Sequence, residues 1–309
     1  MTNSLAASQR DLRGVYAAAV TPLQADLTPD LAALPALLDF LAQRGCHGAL
    51  LLGTTGEGTS FSVAEHLAII GAGVRYRDTA RPGYCILAGT GAASLSDAMA
   101  ITRGAFELGV DGVVTLPAFY YKGVSAAGLV TFYEAVLRAA VPVEGRLLAY
   151  HIPQTSGVGL PAETLETLRA RYPRQFWGMK DSQDDLAHTL GVLAQLPGFG
   201  VFAGSDAIMA GALAGGGAGA ITALANVTAP LNRAVWDAHQ AGQTEAVAAA
   251  QAKLVRARQV VKGLSGPAIQ KAALAELFGF PRWPVRPPLE PVDPEREKAA
   301  VAGLAELLA

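Results

Sequence analysis

Charge is scarce in this chain. Asp, Glu, Lys and Arg make up 16% of its 309 residues, against roughly 25% in an average soluble protein. A disordered chain needs low hydrophobicity and high net charge. Here 51% of residues are hydrophobic, and 24 basic side chains nearly balance 26 acidic ones. Disorder is therefore excluded, and a formal charge of −2 leaves no electrostatic footprint for nucleic acid or an anionic membrane. Cysteine is scarcer still. Cys46 and Cys85 are the only two, each in an apolar run, so they read as buried free thiols rather than a disulfide framework. No cysteine–histidine cluster has zinc spacing. No run reaches the roughly 18 apolar residues of a membrane span. The opening MTNSLAASQRDLRG is polar and has no apolar stretch of a secretory leader. The expectation is a soluble, cytoplasmic globular protein with neither nucleic acid nor membrane as partner.

What the chain does have is alternation. Eight short apolar runs read as strands: Val15–Val20, Gly48–Gly53, Tyr84–Gly89, Gly112–Leu116, Arg146–Ile152, Phe176–Lys180, Gly200–Gly204 and Gly219–Leu224. Amphipathic stretches between them read as helices, among them Leu31–Arg44, Val63–Tyr76, Ser94–Leu108, Ala126–Ala140 and Pro161–Tyr172. Asp30, Ser62 and Ser94 stand at N-cap positions, Gly45 and Gly109 at C-cap positions. The strand runs lack polar alternation, as do strands covered on both faces. Eight such units predict an α/β protein with a closed (β/α)8 TIM barrel. An open doubly wound sheet is the competitor. Against it, no G-x-G-x-x-G follows the first run, where the chain reads VTPLQADLTPD.

After the eighth run only helices are expected, over Ala234–Lys262, Pro267–Phe278 and Glu295–Leu308. A proline-rich crossing segment, Pro281–Pro294, precedes the last. The predicted plan is a polar segment 1–13, a barrel 14–233 and an appended C-terminal helical extension 234–309.

A barrel places its chemistry at the C-terminal strand ends. The second run ends in Gly53-Thr54-Thr55-Gly56-Glu57-Gly58, whose hydroxyls and backbone can cradle a carboxylate or phosphate, or simply form a βα turn. Tandem tyrosines, Tyr120 and Tyr121, follow the fourth run; they are packing groups or phenols placed for proton transfer. The fifth ends in Tyr150-His151-Ile152-Pro153 and the sixth in Lys180-Asp181-Ser182. Lys180 is the sharpest signal. The chain has six lysines against 18 arginines, and Lys180 alone ends a predicted barrel strand. Desolvation at such a place favours the neutral amine that a Schiff base requires. The bland alternative is a lysine that snorkels or pairs with Asp181. An amine at Lys180, a phenol at Tyr150 on the adjacent strand and a Thr54-Thr55 cradle across the mouth form a kit for a 2-oxo acid. An imine is itself an electron sink, so no metal or organic cofactor is expected; the only covalent group is a lysine–pyruvate imine.

On these residues the sequence resembles the dihydrodipicolinate synthase / N-acetylneuraminate lyase family. The resemblance runs from about Gly14 to Leu289, on GTTGEG (Gly53–Gly58), AGTG (Ala88–Gly91), FYYKG (Phe119–Gly123), YHIPQTSG (Tyr150–Gly157), GMKDS (Gly178–Ser182), FAGSD (Phe202–Asp206) and RPPL (Arg286–Leu289). It implies a class I aldolase acting through a lysine–pyruvate Schiff base. Lys180 matches the imine lysine and Tyr150 the proton-shuttling tyrosine. Thr54 matches the relay threonine and Thr55 its carboxylate-binding neighbour. Tyr121, with Tyr120 as the alternative, matches a tyrosine that the synthases lend between subunits. A homotetramer, a dimer of dimers, is implied as well.

Two departures bear on the substrate. Where the synthases carry a carboxylate-clamping arginine, five residues after the shuttle tyrosine, this chain has Thr155. Where the sialic acid lyase branch carries an Asp-Glu pair, it has Asp206-Ala207. The expected activity is therefore aldol cleavage of a 2-keto-3-deoxy sugar acid to pyruvate and an aldehyde. Thr155, Ser156, Ser205, Asp206 and Thr222 would be its hydroxyl-binding groups, and Gly53, Gly204 and Ile221 complete the expected substrate-binding set. An N-acetylneuraminate lyase-like enzyme, a dehydratase or hydratase-aldolase of the same family, and a non-catalytic pyruvate sensor are the alternatives.

Overall fold

The structure, a computed structural model, describes residues 10–309. Residues 1–9 of the expected polar segment lie outside the described residues. Eight parallel strands close in sequence order: β1 (Gly14–Ala18), β2 (Gly48–Leu51), β3 (Cys85–Gly89), β4 (Gly112–Thr115), β5 (Leu147–His151), β6 (Phe176–Asp181), β7 (Gly200–Ala203) and β8 (Gly219–Thr222). The final pairing of β1 with β8 removes both sheet edges. Most strands are shorter than the apolar runs that announced them, because the ends of those runs belong to the loops.

The helices around the barrel are α1 (Leu34–Gln43), α2 (Val63–Ala80), α3 (Leu95–Leu108), α4 (Ala126–Ala140), the single turn α5 (Pro153–Ser156), α6 (Ala162–Arg171), α7 (Leu186–Gln195) and α8 (Met209–Ala214). Ser62 and Glu65 form a reciprocal capping box on α2, and Ser94 accepts from Asp97 N–H at the start of α3. Asp30 accepts from Ala32 and Ala33 N–H instead, capping a turn that delays α1 to Leu34. Gly45 (φ 104°) and Gly109 (φ 95°) follow their helices in left-handed backbone.

The C-terminal layer comprises α9 (Ala225–Gln240), α10 (Thr244–Val260), α11 (Gly266–Phe278) and α12 (Pro294–Leu308). The single helix expected over Ala234–Lys262 is two. Gly242 at φ 69° turns the chain between α9 and α10, and α9 starts well before Ala234, next to β8, with a kink at Thr228 ahead of Pro230. The 233/234 boundary expected from sequence falls inside α9.

Apolar side chains divide into three cores. The barrel interior holds Tyr16, Leu50, Cys85, Leu87, Val114, Leu148, Tyr150, Phe202 and Ile221. A larger cluster joins the outer strand faces to the surrounding helices. A third lies among the C-terminal helices, with Val227, Ala257, Ile269, Ala273 and Leu304. Cys46 and Cys85 are free and buried, and burial pushes the Cys46 thiol up to about 12.

Buried polar groups fasten the C-terminal layer to the barrel. Asn226 accepts from Val20 N–H and donates to Ala18 and Ala223 carbonyls, pairing backbone groups at the ends of β1 and β8. Glu57, in left-handed backbone (φ 57°), meets Lys271 at 2.5 Å and accepts from Arg286 N–H at 2.7 Å; Lys271 also donates to the Pro284 carbonyl at 2.6 Å. The Arg286 guanidinium donates to Leu27 and Ser60 carbonyls, pairs with Glu65 and lies over Phe61. The proline-rich segment is thus bound across the β2 loop.

Candidate active site

The strand register decides the site. Tyr150 of β5 stands opposite Lys180 of β6. Side chains alternate across a sheet, so Met179 packs outward among the helices while Tyr150 and Lys180 point into the mouth. Both are buried, at 4% and 3% exposure. Lys180 Nζ lies 4.4 Å from the centre of the Tyr150 ring. Tyr150 Oη is 3.2 Å from Thr54 Oγ1, which arrives from the loop after β2. Burial pushes the Tyr150 phenol up, but the Lys180 charge and the hydroxyls of Thr54 and Ser182 outweigh it, and the net shift is downward. An amine, a phenol with an eased proton and a threonine hydroxyl form a short chain along which a proton can pass.

Lys180, Tyr150, Thr54, Thr55, Thr155, Gly204, Ser205 and Asp206 line one chamber of about 320 Å³. A smaller, more apolar hollow of about 160 Å³ adjoins it, shares Thr54, Tyr150 and Thr155, and adds Gly53, Ser156, Leu116 and Phe119. Gly204 has a steric reason to be glycine. A Cβ there would stand 1.9 Å from Ser182 Oγ and 2.8 Å from the Asp181 carbonyl, while its N–H donates to that carbonyl at 2.6 Å. The close approach holds Ser205 and Asp206 against the β6 end.

Other expected site residues are placed differently. The Ser156 hydroxyl is occupied within its own loop, by Ile152, Val158 and the Val158 N–H. Thr222 donates to Asp206 Oδ1 at 2.7 Å, as does Asn232. Burial pushes the Asp206 carboxyl up, against those two donors. Ile221 lies in the barrel core below the mouth. Tyr121 is 70% exposed, edge-on to the equally exposed Tyr120, and lines neither cavity.

Asp181 does not pair with Lys180. It faces the other way, accepting from Thr189 at 2.8 Å and meeting His188 at 2.8 Å. His151, next to Tyr150, also points outward and stacks on His188. These three residues are spaced closely enough to suggest a metal. However, His151 Nδ1 accepts from Leu160 N–H and its Nε2 meets the Gln183 oxygen at 2.6 Å. With Nδ1 accepting, Nε2 carries the proton and donates a hydrogen bond to Gln183, which leaves the ring no free lone pair for a metal.

Sequence reasoning missed the chamber's other wall. Arg258 of α10 and Gln270 of α11 line it, with Ser182 and Asp184 on the barrel side. Gln251 of α10 accepts from Ala210 N–H and donates to the Asp206 and Ala207 carbonyls, fixing the β7 loop. Polar residues on a helix carry no local mark of the cavity they will face.

A buried strand-end lysine beside a tyrosine, at the mouth of a closed eight-stranded barrel, defines a class: the carbon–carbon lyases of the class I aldolase type. The chain belongs to the dihydrodipicolinate synthetase family, whose family model matches residues 11–307. It is 41% identical over 299 residues to an uncharacterized DapA-like lyase of Chloroflexus aurantiacus, covering 96% of this chain and 97% of that one. It is 33% identical to a 4-hydroxy-tetrahydrodipicolinate synthase of Saccharophagus degradans, covering 91% and 94%. Among solved structures, YagE, a prophage protein of the dihydrodipicolinic acid synthase family from E. coli K12 in complex with pyruvate, superposes with a TM-score of 0.90 at 25% identity, covering 96% and 99%. Proteus mirabilis N-acetylneuraminate lyase does so at 0.85 and 25%, covering 96% and 99%.

Proposed function

We propose that this lyase reversibly cleaves a 2-keto-3-deoxy sugar acid to pyruvate and an aldehyde through an imine on Lys180, with no metal or organic cofactor. The observation that carries this reading is the register-fixed Tyr150–Lys180 pair with Thr54 in hydrogen-bond reach. Lys180 Nζ attacks the C2 carbonyl and water leaves. Tyr150 removes the C4 hydroxyl proton, the C3–C4 bond breaks, and its electrons enter the iminium to give an enamine. The proton passes along Tyr150 and Thr54, C3 is protonated, and water returns pyruvate. Thr55 and the Gly53–Thr54 backbone receive the carboxylate.

Thr155 stands at the edge of both cavities. A short neutral hydroxyl there lacks the bidentate grip of an arginine, which supports a substrate other than that of the synthases. Condensation of pyruvate with aspartate semialdehyde at synthase-like rates would refute this. The proposal includes a cytoplasmic homotetramer; the exposed Tyr120 and Tyr121 offer an aromatic surface for a second copy. No helix of the described residues is long and apolar enough to cross a membrane.

The test is pyruvate release across a panel of 2-keto-3-deoxy acids and N-acetylneuraminate, with Lys180→Ala as blank. Release that vanishes in the variant is expected, together with borohydride trapping of pyruvate on Lys180. Trapping at another residue sinks the reading, and turnover without pyruvate release makes the protein a dehydratase.

A further inference from the structure

The chamber's C-terminal wall holds polar groups that the proposed chemistry does not use. Arg258 of α10 is half-buried and lines the chamber, and its guanidinium makes no ion pair or hydrogen bond among the described residues. Gln270 of α11 is 1% exposed and lines the same space, and its side-chain oxygen has no hydrogen-bond partner. Amide oxygen and nitrogen are assigned from the surrounding network, so an amide with no partner is free to turn its N–H2 toward a ligand. The same wall includes the N-terminus of α11, a 13-residue helix whose first residue, Gly266, also lines the chamber. Its N-cap, Ser265, makes no side-chain capping bond, and the Ser265 Oγ is buried without a partner. Pro267 has no N–H, so Gly266 and Ala268 are the backbone donors of this first turn, and they lack a side-chain cap at the positive end of the helix dipole.

Two carboxylates also border this space. Asp184 is exposed at the rim. Asp206 turns Oδ1 to Thr222 and Asn232 and makes no hydrogen bond to Arg258, whose charge nonetheless acts on its buried carboxylate across the chamber wall. A guanidinium without a bonded partner, an unpartnered amide and an uncapped helix start thus line the same chamber as Thr54 and Thr55, and their shared chemistry is that of an anion site.

We propose that Arg258, Gln270 and the start of α11 grip an anionic group, a second carboxylate or a phosphate ester, at the end of the substrate remote from its 2-oxo acid. The substrate is then anionic at both ends. This deepens the aldolase reading and rests on it for the identity of the other end.

The test compares 2-keto-3-deoxyhexonate, its 6-phosphate and the corresponding 2-keto-3-deoxyhexarate on the wild-type protein and on Arg258→Gln. The readout is the ratio of kcat/KM for each doubly anionic substrate to that for the hexonate. At least one ratio should exceed one in the wild type and fall by roughly 10- to 100-fold in the variant, mainly through KM; which one falls tells carboxylate from phosphate. Arg258→Lys should restore part of the ratio, and it replaces the glutamine variant if that fails to fold. Calorimetric titration of Lys180→Ala, with and without Arg258→Gln, reads the same preference in binding alone. Preferential binding that depends on Arg258, without pyruvate release by the wild type, would remove the aldolase reading and leave the anion grip. A wild-type ratio at or below one for both double anions, or ratios that Arg258→Gln leaves unchanged, overturns the proposal.

Discussion

Two lysines in this protein are almost equally hidden, and their surroundings are opposite. Lys180 is 3% exposed and Lys271 is 1% exposed. Lys271 meets the Glu57 carboxylate at 2.5 Å and the Pro284 carbonyl at 2.6 Å, so its charge is answered and two of its three donors are occupied. Burial pulls the Lys271 amine down and Glu57 resists it. Lys180 has no carboxylate within ion-pair distance among the described residues. Its sequence neighbour Asp181 is turned to His188 and Thr189, and the amine faces a phenol and an open chamber. Burial alone therefore does not mark a reactive amine. The mark is burial without a counter-charge, beside space for a ligand.

The contrast can be broken by experiment. Lys180→Ala should lower pyruvate release by roughly 10⁴-fold or more, whereas Lys271→Met, wherever it folds, should stay within about tenfold because its pair touches no reacting atom. Steady-state kinetics on a productive substrate decides this, and comparable losses in the two variants would erase the distinction. Stability should reverse the order. Removing one member of the sealed pair leaves Glu57 buried and unanswered, at a cost of about 3–5 kcal/mol. Lys180→Met, by contrast, should match or exceed the wild type in urea unfolding, since it removes an uncompensated buried amine. A loss above about 2 kcal/mol for Lys180→Met would show that this amine is structural.

Tyr150→Phe keeps the ring beside Lys180 and removes the phenol, so activity should fall by about 10²–10⁴-fold. Normal turnover would remove the proton relay from the proposed mechanism. A finer effect follows from what holds the phenol down. Lys180 lowers the Tyr150 pKa more than Thr54 does. Lys180→Ala should therefore move tyrosinate formation to higher pH, and Thr54→Val should move it in the same direction by less. Ultraviolet titration with Tyr150→Phe as the baseline reads both shifts.

The smallest effect lies in the Pro-rich crossing. The Arg286 hydrogen bond holds the Glu65 carboxyl at about 2, below its ordinary 4.5. A carboxylate depressed on folding adds stability that is present above about 4.5 and is lost as the pH falls toward 2. The stability gap between the wild type and Glu65→Gln should therefore be flat above about pH 5 and close below it. Unfolding at a series of pH values checks this, and a gap that persists at pH 2 would contradict it.

One motif shows how far the chain could be read. In Gly53–Gly58 the sequence marks a strand end rich in donors, and Thr54 and Thr55 do line the chamber. Glu57, three residues after Thr54, belongs to a different structure: its partners Lys271 and Arg286 lie 214 and 229 positions away. Nothing local distinguishes the two roles. Likewise Ser156 and Thr222 were legible as hydroxyls near the mouth, yet their bonds go to their own loop and to Asp206. The break at Gly242 was visible as a glycine, but helix periodicity on either side concealed it.

By itself the sequence determined a parallel sheet covered on both faces, because eight unalternating apolar runs separated by amphipathic helices are buried in no other way; its closure into a barrel is made by the pairing of β1 with β8. It also marked a lone lysine at the sixth run's end, and the structure puts Lys180 one residue before the last of β6. Tertiary structure decided what that lysine meets. Parallel register set Tyr150 opposite it, and the turned-away face of β6 took Asp181. The wall that closes the chamber, with Arg258 and Gln270, was decided by helices packed from the far end of the chain. Register and helix docking join residues through space, where local pattern carries no information.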